Sequence, residues 1–337
     1  MLAEPVPDSA GRILAVVLNW CAEDDTARCL DSLIAEQASV PTLDILLADS
    51  ASPDGSGHRL AARYPGVAYL PIGANLGYAG GNQRAIEWAL ARGYAFVLLI
   101  NDDASLTPGC LVALMHAMQS DPTVGACAPT VTYGPPHDDR VWWGGGSFVW
   151  WKGMGVHDHV GHSAARLREQ YPQPRAVSFL SGCVLLLRAA AIRRSGGLPA
   201  EFFAYVEDVE LCHRWDRQGW RLLWVPAATA RHHVPVEAGE PSPFAITLRD
   251  QNRQRLAVRH FHGLRLAIFR AVFFGSRAVL LGRAIARGDG ARRRALWAGM
   301  KPVGRGDRGP SVDARVDALV DERRQESGPA RVHKQRG

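Results

Sequence analysis

The sequence predicts an α/β fold with a doubly wound, mostly parallel sheet and a C-terminal helical extension. Aliphatic and β-branched runs alternate with segments of helical spacing through the first hundred residues, as they do in βαβ units. This alternation stops beyond His233, where the chain becomes helical and basic. With 337 residues, of which 47% are hydrophobic, the chain is long enough for one large domain and an appendage.

The first half of the chain contains the clearest elements. Continuous apolar runs are typical of strands that a parallel sheet buries on both faces. They occupy residues 13–18, 43–48, 67–70 and 95–100. Helical spacing follows between them, at residues 24–37, 58–63 and 80–92.

The second half predicts shorter elements around one helix. Extended segments are expected at residues 177–182, 184–187, 222–225 and 228–232. The segment 202–217 is expected to be helical, and so is the basic segment 245–287.

The composition changes along the chain and suggests its organisation. We expect a lead-in at residues 1–11 and the α/β domain at 12–240. Within the domain, residues 133–175 are rich in Gly, Trp, His and Pro and predict a loop-rich insertion. A basic helical extension at 241–300 and a polar, partly disordered tail at 301–337 complete the chain.

Polar side chains follow three of the predicted strands at their carboxyl ends. They are Asn19, Asp49 and the run Asn-Asp-Asp at residues 101–103. In doubly wound sheets ligands bind beyond these ends, so the three clusters should converge. Asp49 is suited to accept a hydrogen bond from a nucleobase or ribose, and the acidic pair is suited to hold Mg²⁺ or Mn²⁺ against a diphosphate. The alternative for the pair is an N-cap of the helix near Thr107.

A glycine-rich segment, residues 75–82, leads into a predicted helix. Asn75, Gly80, Gly81 and Asn82 belong to it. Such a segment lets the backbone approach a phosphate or a sugar. It lacks the Gly-Lys-Ser/Thr of a Walker loop and is not a G-x-G-x-x-G fingerprint. A plain turn and helix cap is the alternative interpretation.

Two further groups of residues are candidates for chemistry. Glu207 and Asp208 lie beside aromatic and apolar residues, where a carboxylate can acquire a raised pKa and act as a base. Adjacent acids on a helix point in different directions, so we expect at most one of them to face the site, and a solvated helix face is the alternative interpretation. His232 shares a strand face with small residues and is suited to bind a metal, but the neighbouring His233 leaves the choice between them open.

Taken in the order in which they occur along the chain, these motifs resemble those of the family 2 glycosyltransferases of the GT-A fold, especially the rhamnosyltransferase-like branch. The resemblance covers residues 12–235. It rests on Asn19, residues 49–56 (Asp-Ser-Ala-Ser-Pro-Asp-Gly-Ser), 75–82, 99–103 (Leu-Ile-Asn-Asp-Asp), 181–183 (Ser-Gly-Cys) and 202–214.

The resemblance implies roles for the matched positions. Asp103 would bind the metal together with His232, and Asp102 would help to hold the ribose or the metal. Asp208 would be the general base. The donor side would comprise Asn19, Asp49 at the nucleobase, Asn75, Gly80, Gly81, Asn82, Asp102 and Gly182 beside the sugar. On the acceptor side we place Trp142, Trp143 and Glu207.

The implied activity is inverting transfer of a single sugar, with Mg²⁺ or Mn²⁺ as cofactor, in cell-envelope or secondary-metabolite glycan assembly. The donor would be a dTDP- or UDP-linked sugar, with rhamnose suggested by the branch, and the acceptor a glycan, a lipid-linked or a small molecule. The sequence has Asn-Asp-Asp instead of a strict Asp-x-Asp, which blurs the division of roles between Asp102 and Asp103. It lacks a Gln-x-x-Arg-Trp motif after the acidic helix, so transfer is expected to be non-processive.

Two alternatives come from other classes of protein. A sugar nucleotidyltransferase would carry a glycine-rich signature with Arg and Lys after the first strand, where this chain has Asn-Trp-Cys-Ala-Glu. A catalytically silent nucleotide-sugar-binding protein would not need both Asp103 and Asp208. We expect no nucleic-acid partner, because the C-terminal arginines lie in an apolar helix.

The C-terminal extension suggests a membrane surface as a further partner. Arginines interrupt an apolar segment and fall on one broad side of a helix: Arg265, Arg270, Arg277, Arg283 and Arg287. A basic amphipathic helix suits anionic lipid, although packing on the catalytic domain is the alternative. The N-terminus has no pattern of a signal peptide, and the cysteines are expected to be reduced thiols. We therefore expect a cytoplasmic protein, peripheral on the inner face of the membrane.

Overall fold

The computed structural model describes residues 11–236 and 241–304. By their contacts the residues divide into two compact units, Met1–Gly239 and Glu240–Gly337. The predicted lead-in, apart from Gly11, and the predicted tail beyond residue 304 lie outside the described residues.

The first unit begins with the parallel half of a sheet. Its elements are β1 (Ile13–Asn19), α1 (Glu23–Glu36), β2 (Leu43–Asp49), α2 (Ser56–Arg63), β3 (Ala68–Pro71), α3 (Gly77–Leu90) and β4 (Phe96–Ile100). The strands pair in parallel in the spatial order β3-β2-β1-β4. Every residue of β4 is buried, as expected for a strand covered on both faces.

The rest of the first unit extends the sheet with mixed pairing. The elements are β5 (Ala104–Leu106), α4 (Cys110–Gln119), β6 (Val124–Tyr133), β7 (Val141–Trp143), β8 (Gly146–Val149), β9 (Met154–His157), α5 (Ala164–Gln170), β10 (Arg175–Ala176), β11 (Val184–Arg188), α6 (Ala189–Ser195), α7 (Glu207–Asp216) and β12 (Arg221–His232). Strand β11 runs antiparallel between β4 and β6, and β12 runs parallel to β6. The main path is β10-β12-β6-β11-β4-β1-β2-β3.

Three local predictions differ from the structure. Residues 177–182 form no strand. The predicted helix at 202–217 begins only at Glu207, because Phe203, Tyr205 and Val206 have φ values of 63°, 68° and 73°, outside the helical region. The two strands predicted between residues 222 and 232 form one strand with an irregularity between Val225 and Thr229.

The insertion at 133–175 contains more regular structure than its composition suggests. It holds β7, a hairpin of β8 and β9, and α5, which begins with Ser163 accepting a hydrogen bond from the Arg166 amide. Strand β7 pairs with β6, with Val131 opposite Trp143. The insertion is therefore tied to the main sheet at its first strand.

The second unit contains α8 (Pro243–His260), α9 (Gly263–Ala286) and α10 (Gly290–Gly299). Its interior includes a charged cluster: Arg277 donates to both oxygens of the fully buried Asp250, at 2.9 and 3.0 Å, and Arg253 donates to Asp250 at 3.2 Å. Burial lowers the pKa of Arg253 to about 10. Arg277 is therefore buried, and the prediction that it lies on an exposed basic side of the C-terminal helix is wrong. A buried charge needs a partner, and Asp250 on α8 supplies it.

Candidate active site

The carboxyl ends of β1 and β2 form one side of the candidate site. Asn19 and Asp49 are paired in register, and Asn19 Nδ2 donates to Asp49 Oδ1 at 2.8 Å. Ser52 donates to the same oxygen from its hydroxyl at 2.6 Å and to Asp49 Oδ2 from its amide at 3.1 Å. A Cβ on Gly57 would lie 2.3 Å from Asp49 Cγ, so only glycine leaves room for the carboxylate. Asp49 is consequently held in one orientation.

Asn19 itself is fully buried behind Asp49. Its Nδ2 also donates to the hydroxyls of Ser52 and Ser56, each at 3.0 Å, and its Oδ1 accepts from Thr26 Oγ1 at 3.0 Å. The predicted contact of Asn19 with the donor is therefore corrected to an indirect one, in which Asn19 orients Asp49.

The glycine-rich segment packs the protein instead of opening toward a ligand. Gly77 begins α3 with a φ of 69°, its amide donates to Asn75 Oδ1 at 2.9 Å, and a Cβ there would lie 2.5 Å from the carbonyl oxygen of Phe203. A Cβ on Gly81 would lie 2.7 Å from the methyl carbons of Leu18 on β1. This corrects the prediction for Gly80 and Gly81, which lie buried in α3, where Gly81 allows a close helix–strand approach.

Asn82 follows these glycines in α3 and is also buried. Its Nδ2 donates to the Tyr78 carbonyl oxygen at 3.0 Å. Its Oδ1 has no hydrogen-bond partner among the described residues. The predicted donor contact of Asn82 would therefore have to use this oxygen.

The acidic run after β4 meets the end of β12. His232 Nε2 lies 3.1 Å from Asp103 Oδ1, and Asp102 Oδ1 accepts a hydrogen bond from the Asp103 amide at 3.1 Å. Burial raises the pKa of Asp103, but interaction with His232, together with hydrogen bonds from the Asp103 backbone and from Asn101, brings this pKa below its ordinary value. His233 instead places its Nε2 2.9 Å from Ser105 Oγ. The structure thus brings the side chain of His232, not that of His233, to the Asp103 carboxylate, while the His233 amide donates to the Asp103 carbonyl oxygen at 2.8 Å.

This pair fits a divalent cation by the chemistry of its donor atoms. A carboxylate oxygen and an imidazole nitrogen are both suitable metal ligands. Within residues 11–236 and 241–304, no group of three or more His, Cys, Asp or Glu residues is arranged to hold an ion. A cation at Asp103 and His232 would therefore need further ligands from a bound molecule and water.

Glu207 and Asp208 begin α7 and differ in environment. Asp208 is partly exposed, and its oxygens accept from the amides of Gly182 at 3.1 Å and Val209 at 2.8 Å. Burial raises the pKa of Asp208 to about 6 against the opposing effect of these amides. Glu207 is buried, and burial together with the charge of Asp208 raises its pKa well above the ordinary value. Asp208 therefore ionises close to neutral pH, whereas burial and the neighbouring charge disfavour the ionised form of Glu207.

Residues 181–183 connect the two groups of carboxylates. The Gly182 amide donates to Asp208, and the Cys183 carbonyl oxygen accepts from the Asn101 amide at 2.9 Å. Asn101 directly precedes the Asp102–Asp103 pair. One short segment before β11 thus places the candidate base next to the candidate metal ligands.

Tyr78 is a residue of the candidate site that sequence reasoning missed. Its hydroxyl donates to the Gly182 carbonyl oxygen at 2.6 Å, and a Cβ on Gly182 would lie 3.0 Å from that hydroxyl. Burial raises the pKa of Tyr78 well above its ordinary value, so the hydroxyl remains a donor. Tyr78 therefore fixes the residue that orients Asp208. Its position inside the glycine-rich segment was the available signal.

The two tryptophans of β7 face opposite sides, as successive strand residues do. The ring of Trp142 meets the rings of His232 and His157 edge-on, at centroid distances of 4.5 and 4.7 Å. Trp143 is fully buried in the core, which corrects its prediction as an acceptor-side residue. His157, which the sequence did not single out, has its pKa lowered by burial.

Solved structures of low sequence identity share this fold. GalNAc-T7 with UDP, GalNAc and Mn²⁺ matches with a TM-score of 0.63 and 14% identity, over 94% of this chain and 58% of that chain. The chain thus spans less than two thirds of that relative. The mannosyltransferase PcManGT from Pyrobaculum calidifontis, in complex with GDP-Man and Mn²⁺, matches with a TM-score of 0.53 and 18% identity over 87% and 88% of the two chains. The predicted GT-A-type fold is confirmed.

Sequence comparisons identify the family. Residues 15–193 match the profile described as glycosyl transferase family 2. An N-acetylglucosaminyl-diphospho-decaprenol L-rhamnosyltransferase of Mycobacterium tuberculosis is 32% identical over 235 residues, which are 65% of this chain and 76% of the relative. An undecaprenyl-phosphate mannosyltransferase of Micrococcus luteus is 34% identical over 85 residues, 24% of this chain and 35% of the relative. The chain belongs to glycosyl transferase family 2 and is a glycosyltransferase of the rhamnosyltransferase-like type.

Proposed function

We propose that this protein is an inverting, metal-dependent and non-processive glycosyltransferase that moves one sugar from a nucleotide-sugar to an acceptor hydroxyl. The observation that carries the proposal is the segment 181–183, which is bonded to Asp208 through Gly182 and to Asn101 through Cys183. It sets a carboxylate that is ionised near neutral pH beside a carboxylate–imidazole pair suited to a cation. A proton acceptor and an anchor for a diphosphate are the two requirements of this reaction.

The donor would lie along the carboxyl ends of β1, β2 and β4. Asp49, fixed by Asn19 and Ser52, would accept hydrogen bonds from the nucleobase or ribose. Asp103 and His232 would hold Mg²⁺ or Mn²⁺ together with the diphosphate, and the cation would neutralise the charge that develops on the leaving group.

The acceptor would approach from the side of α7. Asp208 would take the proton of the acceptor hydroxyl as its oxygen attacks the anomeric carbon, opposite the departing nucleotide diphosphate. The new glycosidic bond forms as the bond to the diphosphate breaks, so the configuration inverts. Glu207 is buried, and its raised pKa disfavours ionisation. It would therefore contribute to the surroundings of Asp208 without competing for the proton of the acceptor.

The relatives suggest the substrate class. The Mycobacterium tuberculosis relative is named as a rhamnosyltransferase that acts on a diphospho-decaprenol, so we propose a rhamnosyl donor and a lipid-linked glycan acceptor in cell-envelope assembly. Structural neighbours were crystallised with UDP and with GDP-Man, which keeps a UDP-linked donor as the second candidate. Membership of the glycosyltransferase family disfavours the sugar nucleotidyltransferase alternative.

A thermal-shift screen tests the donor. One nucleotide-sugar among dTDP-rhamnose, UDP-GlcNAc and GDP-mannose should raise the Tm when Mn²⁺ or Mg²⁺ is present, and EDTA should remove most of the shift. At a hundredfold excess over Kd, mass action stabilises the folded state by about 2.7 kcal/mol. Equal shifts with metal and with EDTA would contradict metal dependence. Matched nucleotide monophosphates serve as controls, since they lack the diphosphate.

We propose further that α9 rests on an anionic membrane surface on the cytoplasmic side. Leu264, Ile268, Val272 and Val279 share one side of α9 and are exposed, by 76% at Leu264 and 57% at Val279. We call these four residues the α9 apolar stripe. Exposed Arg265 and Arg283 border this side, an arrangement that suits an interfacial helix. None of the described helices combines the length and the apolar character that crossing a membrane requires.

Binding to vesicles tests this surface. The double variant Arg265→Gln/Arg283→Gln should bind phosphatidylglycerol vesicles about 30-fold more weakly at low salt, because each arginine near an anionic surface contributes about 1 kcal/mol. The control Arg84→Gln/Arg166→Gln removes the same charge from exposed positions of the first unit and should bind as the native protein does. Arg277 is left intact, since it neutralises Asp250. If both double variants lose the same vesicle affinity, the effect reflects the net charge of the protein and not a surface on α9.

A further inference from the structure

A cavity lies in the insertion, away from the proposed metal ligands. It has a volume of about 410 Å³, and its walls come from the glycine run after β7, the end of the β8–β9 hairpin, the segment around β10, and Trp224 of β12. This volume lies in the range of small-molecule sites. The proposed donor and metal residues Asp49, Asp103 and His232 are not part of its lining.

One wall of the cavity is an aromatic cluster. The His159 ring stacks on Trp224 with a centroid distance of 5.3 Å and an interplanar angle of 26°. Tyr171 meets both rings edge-on, at 5.5 and 5.4 Å. Trp224 is almost fully buried, whereas His159 and Tyr171 are partly exposed, so these two rings offer their surfaces to an occupant.

The rim of the cavity is polar and carries both charges. Asp158 accepts a hydrogen bond from Ser147 Oγ at 3.2 Å. The guanidinium of Arg175 lies 4.7 Å from the centre of the Tyr171 ring, which holds this donor group beside the aromatic wall. A carboxylate and a hydroxyl therefore lie beside the partly exposed rings, and the guanidinium lies over one face of Tyr171.

Glycine at position 145 keeps this wall accessible. Its φ is 94°, and a Cβ there would lie 3.3 Å from Cε3 of Trp224. A larger residue would be strained and would press on the ring. His159 Nδ1, 2.6 Å from the Gly144 carbonyl oxygen, fixes the imidazole at the same place. The wall is thus built by several specific contacts.

We propose that this cavity binds a neutral hexopyranose ring of the acceptor glycan. A sugar ring has an apolar C–H face that suits a tyrosine or histidine ring, and hydroxyls that pair with a carboxylate and a guanidinium. An aliphatic chain would leave the charged rim without partners, and a phosphate that pairs with Arg175 would meet the repulsion of the Asp158 carboxylate in the same lining. The proposal rests on the proposed function for the identity of the acceptor, while sugar binding itself does not depend on transfer.

The insertion links this cavity to the proposed acceptor side. Trp142, two residues before the glycine run, contacts the ring of His232. Phe148, directly after Ser147, lies 4.7 Å from the ring of His213 on α7, the helix that begins with Glu207 and Asp208. A glycan that enters the cavity would therefore be held by the same segment that borders the proposed reaction centre.

Direct binding of N-acetylglucosamine and of glucose, measured by saturation-transfer NMR and calorimetry on the full chain, tests the proposal. Tyr171→Leu and the near-isosteric Asp158→Asn should each weaken sugar binding at least about tenfold, because each removes one class of contact. Arg166→Ala, an exposed change on α5, is the matched control and should bind normally. Asp208→Asn should also bind these sugars normally, so that a loss of transfer can be distinguished from a loss of sugar binding in the cavity.

The outcomes separate the possibilities. Unchanged binding in both cavity variants, absence of sugar binding by the native protein, or displacement of the sugar by inorganic phosphate would each overturn the proposal. If no nucleotide-sugar supports transfer but the sugars bind and the cavity variants lose them, the cavity stands and the proposed function fails. With a glycan acceptor, the cavity variants should raise KM and leave kcat nearly unchanged.

Discussion

Asp208→Asn is expected to lower sugar transfer by about 10²–10⁴-fold, the usual contribution of a general base, while donor affinity stays near that of the native protein. Asparagine preserves the shape and can still meet the Gly182 amide through its carbonyl oxygen, but it cannot accept the proton of the acceptor. Donor affinity should persist, because Asp49, Asp103 and His232 are unchanged. Single-turnover transfer and donor titration, performed on the same preparation, provide the two measurements.

The pH dependence gives an independent check. Burial raises the pKa of Asp208 to about 6, so native turnover should fall about tenfold per pH unit below that value and level off above it. Since the raised pKa favours the protonated form in the folded state, ionisation of Asp208 costs stability once the pH rises through about 6. Asp208→Asn should remove this pH dependence of stability, but its single carbonyl oxygen can accept from only one of the Gly182 and Val209 amides. Its residual activity should lose the acidic limb.

Glu207→Gln is the matched control for this assignment. Burial and the charge of Asp208 raise the pKa of Glu207 well above its ordinary value, so glutamine resembles the neutral state that the native side chain favours. A loss below about tenfold is expected, since no proton transfer is removed. If Glu207→Gln loses transfer while Asp208→Asn retains it, the base has been assigned to the wrong carboxylate.

Asp103→Ala should abolish metal-dependent donor binding, with a loss of at least about 100-fold, because a metal ligand of this kind supports several kcal/mol of charge stabilisation. His232→Gln should weaken the dependence on Mn²⁺ as well, since its Nε2 lies 3.1 Å from Asp103 Oδ1. Donor titration with and without the cation is the measurement. Nucleotide affinity in EDTA should change little in either variant, because the Asp49 contacts remain.

His233→Gln is the control that the chain itself offers. It alters the adjacent histidine, whose Nε2 lies 2.9 Å from Ser105 Oγ and not at Asp103. Metal dependence of donor binding should therefore match that of the native protein. Equal effects of the two histidine variants would argue for a general disturbance of this strand end, and unchanged donor binding in Asp103→Ala would remove Asp103 from the mechanism.

The sequence by itself determined the fold class, the family and the strand ends that carry the candidate site. Continuous apolar runs identify buried parallel strands, and the topology of such a sheet brings their carboxyl ends to one edge. Asn19 and Asp49 were therefore expected to lie together before any contact was known, and they do so at 2.8 Å between Asn19 Nδ2 and Asp49 Oδ1. The order of the motifs along the chain pointed to family 2, which the comparisons confirm.

Only the tertiary structure decided what each of these side chains touches. Hydrophobic periodicity along the chain indicates whether a position is buried. It does not indicate which residue of a distant segment contacts that position. The bond from Tyr78 to Gly182 spans 104 positions, and the burial of Arg277 depends on Asp250, which lies 27 positions away. Trp142 and Trp143 have the same residue type, yet the alternation of β7 sends one to His232 and the other into the core. Contacts across the sheet and between helices, which arise only when the chain packs, assigned these roles.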